Sequence, residues 1–424
     1  MQLRRFAVAI SAVAVGVAGV HAQAPAATGY LLPPKVIVDI LDAPPTPAVI
    51  VSPERHTIAL LERRSMPTIA QLAEPIYRVA GARINPRTNG RQQRTGAVTG
   101  ITLQAIDASA SRAVVVPPAA NIANVSFSPD GHRLAFTNTT AKGIQLWIAD
   151  VATGASHLVS GTDRLNATAG DPCDWLEGST TIVCTIVPPG RGPAPAERRV
   201  PFGPNIQETT GKPSPAATYE DLIKTRFDED VFHYYFTSQL VAYGAATPKR
   251  TPLGSAGVIE AVTASPDGRY LLVTRVKRPY SHLLPMNGFP KDVEVWTAGG
   301  KVVRRVADLP SSEGVVIAGV PTGPRQFRWR VDQPATLTWA EALDDGNPRK
   351  EVPFRDRILS LQAPFSGEPM EIAKTAWRFA GLQYTTKGAG FLSESDRRTR
   401  HVRTWLLEPG APPRTLWDRR QDDA

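Results

Sequence analysis

Peptide or ester hydrolysis needs an activated nucleophile. Its clearest sequence sign is G-x-S-x-G, the sharp turn that lifts a serine toward a histidine and an oxyanion hole. No such pentapeptide occurs in the 424 residues. The nearest fragments, Gly154-Ala155-Ser156-His157-Leu158 and Gly254-Ser255-Ala256-Gly257, break the spacing. His56, His132, His157, His233, His282 and His401 are scattered and show no metal-ligand spacing. The residues therefore predict no catalytic group, no cofactor and no metal site.

Other residues could carry recognition. Asp228-Glu229-Asp230 stands just before Phe232, Tyr234 and Tyr235, where a solvated helix end would place it. Arg278-Pro279-Tyr280-Ser281 follows a strand-like run and so lies on a loop, either facing a partner domain or packing locally. Asp344-Asp345-Gly346-Asn347 lacks the alternating carboxylates and distal Glu of a calcium loop and reads as a turn.

Cys173 and Cys184, the only cysteines, flank a strand–turn–strand pattern. With Gly178-Ser179 as a two-residue turn they fall opposite each other. This register makes them a hydrogen-bonded pair, still within disulfide range. Outside the cytoplasm a cross-strand disulfide is expected; two buried thiols are the alternative.

The elements that must position these groups are short strands. Asn124-Val125-Ser126-Phe127 runs into the turn Ser128-Pro129-Asp130-Gly131, then Arg133-Leu134-Ala135-Phe136, then Gly143 to Asp150, a Thr153-Gly154 turn and His157-Leu158-Val159. Proline presets φ for the turn and glycine takes the left-handed position. Four strands in about 40 residues is the spacing of one propeller blade.

The unit recurs at Ser265-Pro266-Asp267-Gly268 and, degenerate, at Ser52-Pro53-Glu54-Arg55. Weaker copies lie at Arg328-Trp329-Arg330 with Thr336 to Ala340, and at Gly381-Leu382-Gln383 with Gly390-Phe391-Leu392. Together with the cysteine hairpin they predict an all-β propeller of about six to seven blades, the seventh from the irregular N-terminal stretch.

Two segments interrupt the rhythm. Val187 to Thr218 is a Pro/Gly-rich insertion, followed by a capping-box-like start at Thr218-Tyr219-Glu220-Asp221 and a short helix through Leu222, Ile223 and Phe227. Ser65 to Gln93 holds a short helix around Ile69 to Arg78 and a polar loop.

Composition agrees with a loop-rich β protein: 39 prolines and 33 glycines punctuate an ordinary 42% hydrophobic content. Arg4 and Arg5 precede the apolar stretch Phe6 to Val20, the pattern of a secretory leader over residues 1–22, cleaved near Ala22 or Ala24. Fifteen helical residues span about 22 Å, short of the roughly 30 Å hydrocarbon core. The mature chain is therefore expected to be exported, periplasmic or extracellular, and free of the membrane. The net charge of +9 comes from scattered pairs such as Arg63-Arg64 and Arg304-Arg305 rather than one stripe, which argues against a nucleic-acid partner.

Tyr30-Leu31-Leu32-Pro33-Pro34-Lys35 with Asp39 to Pro47 resembles the mature start of glutamyl endopeptidases of the chloroplast type and their bacterial relatives, members of the prolyl oligopeptidase family. Further matches follow in order: Leu72-Ala73-Glu74-Pro75, Ala80 to Ile84, Arg278 to Ser281, Phe289-Pro290-Lys291, Val293 to Trp296, and Arg400 to Trp405.

The resemblance implies a substrate-gating propeller followed by an α/β-hydrolase domain with a Ser-Asp-His triad, often cleaving after Glu. It adds a peptide-binding reading for Asp228, Glu229, Asp230, Arg278 and Tyr280, and some arginine to meet a substrate carboxylate. The expected domains are a leader (1–22), an extended segment (23–46), the propeller (47–418) and a truncated linker (419–424) toward an absent hydrolase domain. A self-standing periplasmic binding module is the competing reading. Peptide substrate and the missing hydrolase domain are the expected partners; the oligomeric state stays open.

Overall fold

The computed structural model describes residues 32–92, 96–197, 218–247 and 249–422. The expected leader and the middle of the Pro/Gly-rich insertion lie outside these residues. The chain divides into two compact units, Met1–Ala43 and Pro44–Ala424.

Within the first unit the expected extended segment is partly helical: α1 spans Lys35–Leu41. Pro34 at the N-cap presets the backbone, and Lys35 Nζ reaches Asp39 one turn on at 2.6 Å.

Among the described residues the regular structure of the second unit is mostly antiparallel sheet. It holds an 8-stranded sheet, a 7-stranded sheet, two 4-stranded sheets and one 3-stranded sheet. The larger sheets are runs of four strands joined end to end. Ala48–Val51, Thr57–Arg63, Val98–Ala105 and Ser111–Ala113 pair in succession. Among the described residues their one strand pairing with the next run is Val98 opposite Ile122.

That next run, Ile122–Phe127 to Ser156–Leu158, is the unit read from the sequence. The 15-residue strand Arg250–Ala264 belongs to two runs: its first part pairs with Thr237–Gly244 and, past a bulge, its second pairs with Tyr270–Val276. The last run ends at Arg420, beyond the expected Asp418, because Arg420 still pairs with His401.

Among its described residues the irregular N-terminal stretch forms no run of four. Its Tyr77–Val79, Ala82–Asn85 and Gly90–Arg91 make the small separate sheet. The helix expected around Ile69 to Arg78 is one turn, α2 (Ile69–Leu72), capped by Thr68 and Gln71. Pro75 denies the next turn its N–H, and Tyr77 already begins a strand.

The Ser-Pro-Asp-Gly turns are built alike. Ser128 Oγ donates to Asp130 at 2.6 Å and accepts from Arg133 N at 3.0 Å; Ser265 does the same with Asp267 and Tyr270. Gly131 has φ +70°, and a Cβ there would lie 1.7 Å from Glu54 Oε1. Both faces of the strands are covered: Leu271, Leu272 and Val273 are all buried. Stacked sheets explain such continuous apolar runs.

The cysteine hairpin needs one correction. Cys173 lies opposite Cys184 and the two are joined as a disulfide, with Cα atoms 4.1 Å apart. They form a non-hydrogen-bonded pair, not a hydrogen-bonded one. The ladder closes at Leu176 N to Thr181 O rather than one residue nearer the turn, so every pair changes phase. The wider loop exists because Ser179 is drawn into the neighbouring turn, where Asp130 N donates to its Oγ at 2.9 Å and Arg133 to its carbonyl.

Candidate functional site

The helix that carries the acidic triplet starts later than its sequence suggests. The capping box sits at Thr225 and Asp228, and α3 runs Arg226–Phe236. Thr218 to Asp221 is not its start, because Asp221 is held by Arg83 at 2.6 Å and Ile223 is buried. A box with Asp three residues on satisfies two orphan N–H groups, and Asp228 with Glu229 complements the helix dipole. Val231, Phe232, Tyr235 and Phe236 form its buried face.

Asp228 is thereby consumed: its carboxylate accepts from Thr225 N at 2.8 Å and Lys224 N at 2.9 Å. Glu229 accepts from Arg278 Nη1 at 3.1 Å, and its other oxygen lies 2.9 Å from His282 Nε2. Asp230 is exposed. The Arg278 guanidinium lies 4.7 Å from the Tyr280 ring centroid. Tyr280 Oη completes the group, 2.8 Å from His233 Nδ1.

Glu229 and His233 stand one turn apart on α3, so both reach the Arg278–Leu284 loop. Beneath them Tyr280 meets Phe232 edge-on at 4.7 Å and stacks on Phe289 at 5.6 Å. A rigid aromatic base thus presents a polar rim.

Electrostatics follow this layering. Burial holds the Tyr280 phenol above its usual range, against the opposing charge of Arg278. Burial, then the Arg278 charge, lowers His233 despite the nearby Asp230. Both histidine contacts are to orienting partners, and Ser281 spends its hydroxyl on Leu283 N and Leu284 N. The geometry suits recognition of a charged chain.

Of the expected residues, Glu229, Arg278 and Tyr280 converge while Asp228 is structural. His233 and His282 were missed in the sequence. The four-residue offset of His233 from Glu229 was the available signal; His282 had none.

Cavities also open elsewhere. One of about 750 Å³ is bordered by Arg63, Glu74, Arg87 and Asp171. Another of about 560 Å³ opens between Arg250–Ala264, Lys291–Thr297 and Arg325–Trp329, with Phe289, Leu272 and Val293 among its walls.

A probable chloroplastic glutamyl endopeptidase of Oryza sativa subsp. japonica is 39% identical over 417 residues, covering 93% of this chain. Its Arabidopsis thaliana counterpart is 38% identical over 416 residues, again 93% of the chain. The chain is a homologue of the glutamyl endopeptidases of the prolyl oligopeptidase family.

The chain spans 44% and 43% of the length of these relatives. No family model matches. The crystal structure of Porphyromonas gingivalis dipeptidyl peptidase 4 superposes with a TM-score of 0.51 at 10% identity, over 88% of this chain and 46% of the other. The described residues form a mostly-sheet, all-β fold that resembles β-propeller domains. Among its described residues no helix is long and apolar enough to cross a membrane.

Proposed function

We propose that this chain is the substrate-gating propeller of an exported serine peptidase, built of six four-stranded blades with the Val187 to Thr218 insertion leading into α3. The observation that carries this is the identity with glutamyl endopeptidases along 93% of the chain. The family pattern supplies an α/β-hydrolase domain with the Ser-Asp-His triad, and this chain contributes no G-x-S-x-G. The propeller would admit peptides and unfolded segments to that domain and exclude folded proteins.

Glu229, Asp230 and Arg278 form the proposed peptide-facing rim, with Tyr280 and His233 holding Arg278 and the loop in place. Export rests on the leader pattern in residues 1–22.

The test is turnover of Glu-containing peptides by the chain alone and by the chain mixed with the remaining portion of the rice relative. Glu-directed cleavage restored only in the mixture supports the reading. A fluorophosphonate probe that labels one serine of the chain alone, with cleavage to match, sinks it.

A further inference from the structure

Asp344 and Asp356 have no exposed side-chain surface (0% each), and three arginines surround them. Arg378 bridges the two carboxylates, at 2.8 Å from Asp356 and 2.5 Å from Asp344. Arg355 adds a second bond to Asp344 at 2.8 Å, and Phe379 N donates to Asp356 at 2.6 Å.

Arg325 is the third. Its Nη2 lies 2.7 Å from Asp356 Oδ1, yet neither Nε, Nη1 nor Nη2 makes a hydrogen bond, and the side chain is only 10% exposed. Two carboxylates thus face three guanidiniums. The surplus charge rests on the arginine whose donors are unused. A buried guanidinium that meets a single carboxylate without an aligned hydrogen bond is under-satisfied, which makes this the position where an added anion is most stabilising.

Arg325 also lines the cavity of about 560 Å³, a volume typical of small-molecule sites. The cavity's other cation, Lys291, is spent on Glu260 at 2.5 Å. Phe289, Phe327, Leu272 and Val293 make much of the wall apolar.

We propose that Arg325 anchors a carboxylate-binding site in this cavity, for a ligand whose carboxylate adjoins an apolar body. The planar fork matches a carboxylate bidentately, as a lysine would not. When the guanidinium turns from Asp356 toward the cavity, Asp356 keeps Arg378 and Phe379 N as donors. The carboxylate is either the terminus of a chain or an acidic side chain. The site goes beyond the gating role and stands whether or not the chain serves a peptidase.

Calorimetry on the full chain tests it with N-acetyl-leucine, the α-amide of N-acetyl-glutamate, and neutral N-acetyl-leucinamide. At least one carboxylate should bind at least about tenfold more tightly than the neutral amide, the range of a charged hydrogen bond. Preference between the two carboxylates assigns the source. Arg325→Gln should remove that advantage.

Should Arg325→Gln fail to fold, Thr263→Phe serves instead. It fills the cavity from an exposed strand position and leaves both aspartates untouched, and it should abolish binding. Equal binding of the neutral amide, no binding of either carboxylate, or unchanged affinity in the folded variant overturns the proposal.

Discussion

Tyr280 Oη and His233 Nδ1 lie 2.8 Å apart, joining α3 to the loop after Tyr270–Val276 across 47 residues of sequence. The contact couples the polar rim to the aromatic base, since Tyr280 also packs on Phe232 and Phe289. Tyr280→Phe keeps the packing and deletes the bond. It should cost about 1 kcal/mol in urea unfolding and leave the near-UV spectrum largely intact.

The same pair predicts a pH response. His233 has its folded pKa below the unfolded value of about 6.5, so the unfolded chain binds the proton first. Its contribution is fully present above about pH 6.5 and is lost as pH falls through that value toward the folded pKa. Arg278→Ala removes a repelling charge, and the His233 imidazole resonance should then titrate at higher pH. An unmoved NMR titration would refute the link.

The disulfide closes a separation of 11 residues. Replacing Cys173 and Cys184 by serine should lower stability by about 3 kcal/mol on the loop-entropy account. Denaturant midpoints measure this, and intact mass should rise by two daltons on reduction (about one per added hydrogen).

Gly131 combines φ +70° with the approach of Glu54. Gly131→Ala should destabilise by about 1–2 kcal/mol from the left-handed backbone alone, and by more when the carboxylate must move. Glu54 belongs to the preceding run, so Glu54→Ala in the Gly131→Ala background should recover the steric part. A double-mutant cycle with no coupling would dismiss the contact.

Asp356→Asn should be the most damaging of these changes, at about 3–5 kcal/mol, because Arg325 is then left buried without its carboxylate and Arg378 keeps only Asp344. Asp344 offers a pH counterpart. Burial pushes its pKa up, but bonds and charges from Arg378 and Arg355 outweigh this and hold it low. Its contribution is present above the unfolded pKa of about 3.9 and is lost as pH falls through the lower folded value. Acid titration of Asp344→Asn should lack that step.

The local order of this protein was legible in the chain itself. Ser-Pro-Asp-Gly prescribes a turn through the rigidity of proline, the freedom of glycine and a serine that bonds both sides of the bend. Those constraints span a few residues, so the strand–turn–strand repeat and the facing of Cys173 and Cys184 could be read directly. Tertiary structure decided what depends on distant neighbours. Ser179 is claimed by the Asp130 turn, which resets the phase of the cysteine ladder. Asp221 is claimed by Arg83, which postpones the start of α3 to Thr225. His282 reaches Glu229 because a loop folds back onto α3, and Arg325 becomes one cation too many beside Asp356 because their strands lie in one sheet with a single strand between them. A pairing between side chains remote in sequence leaves no periodic trace, since its energy depends on the closed geometry and not on either residue's own preference.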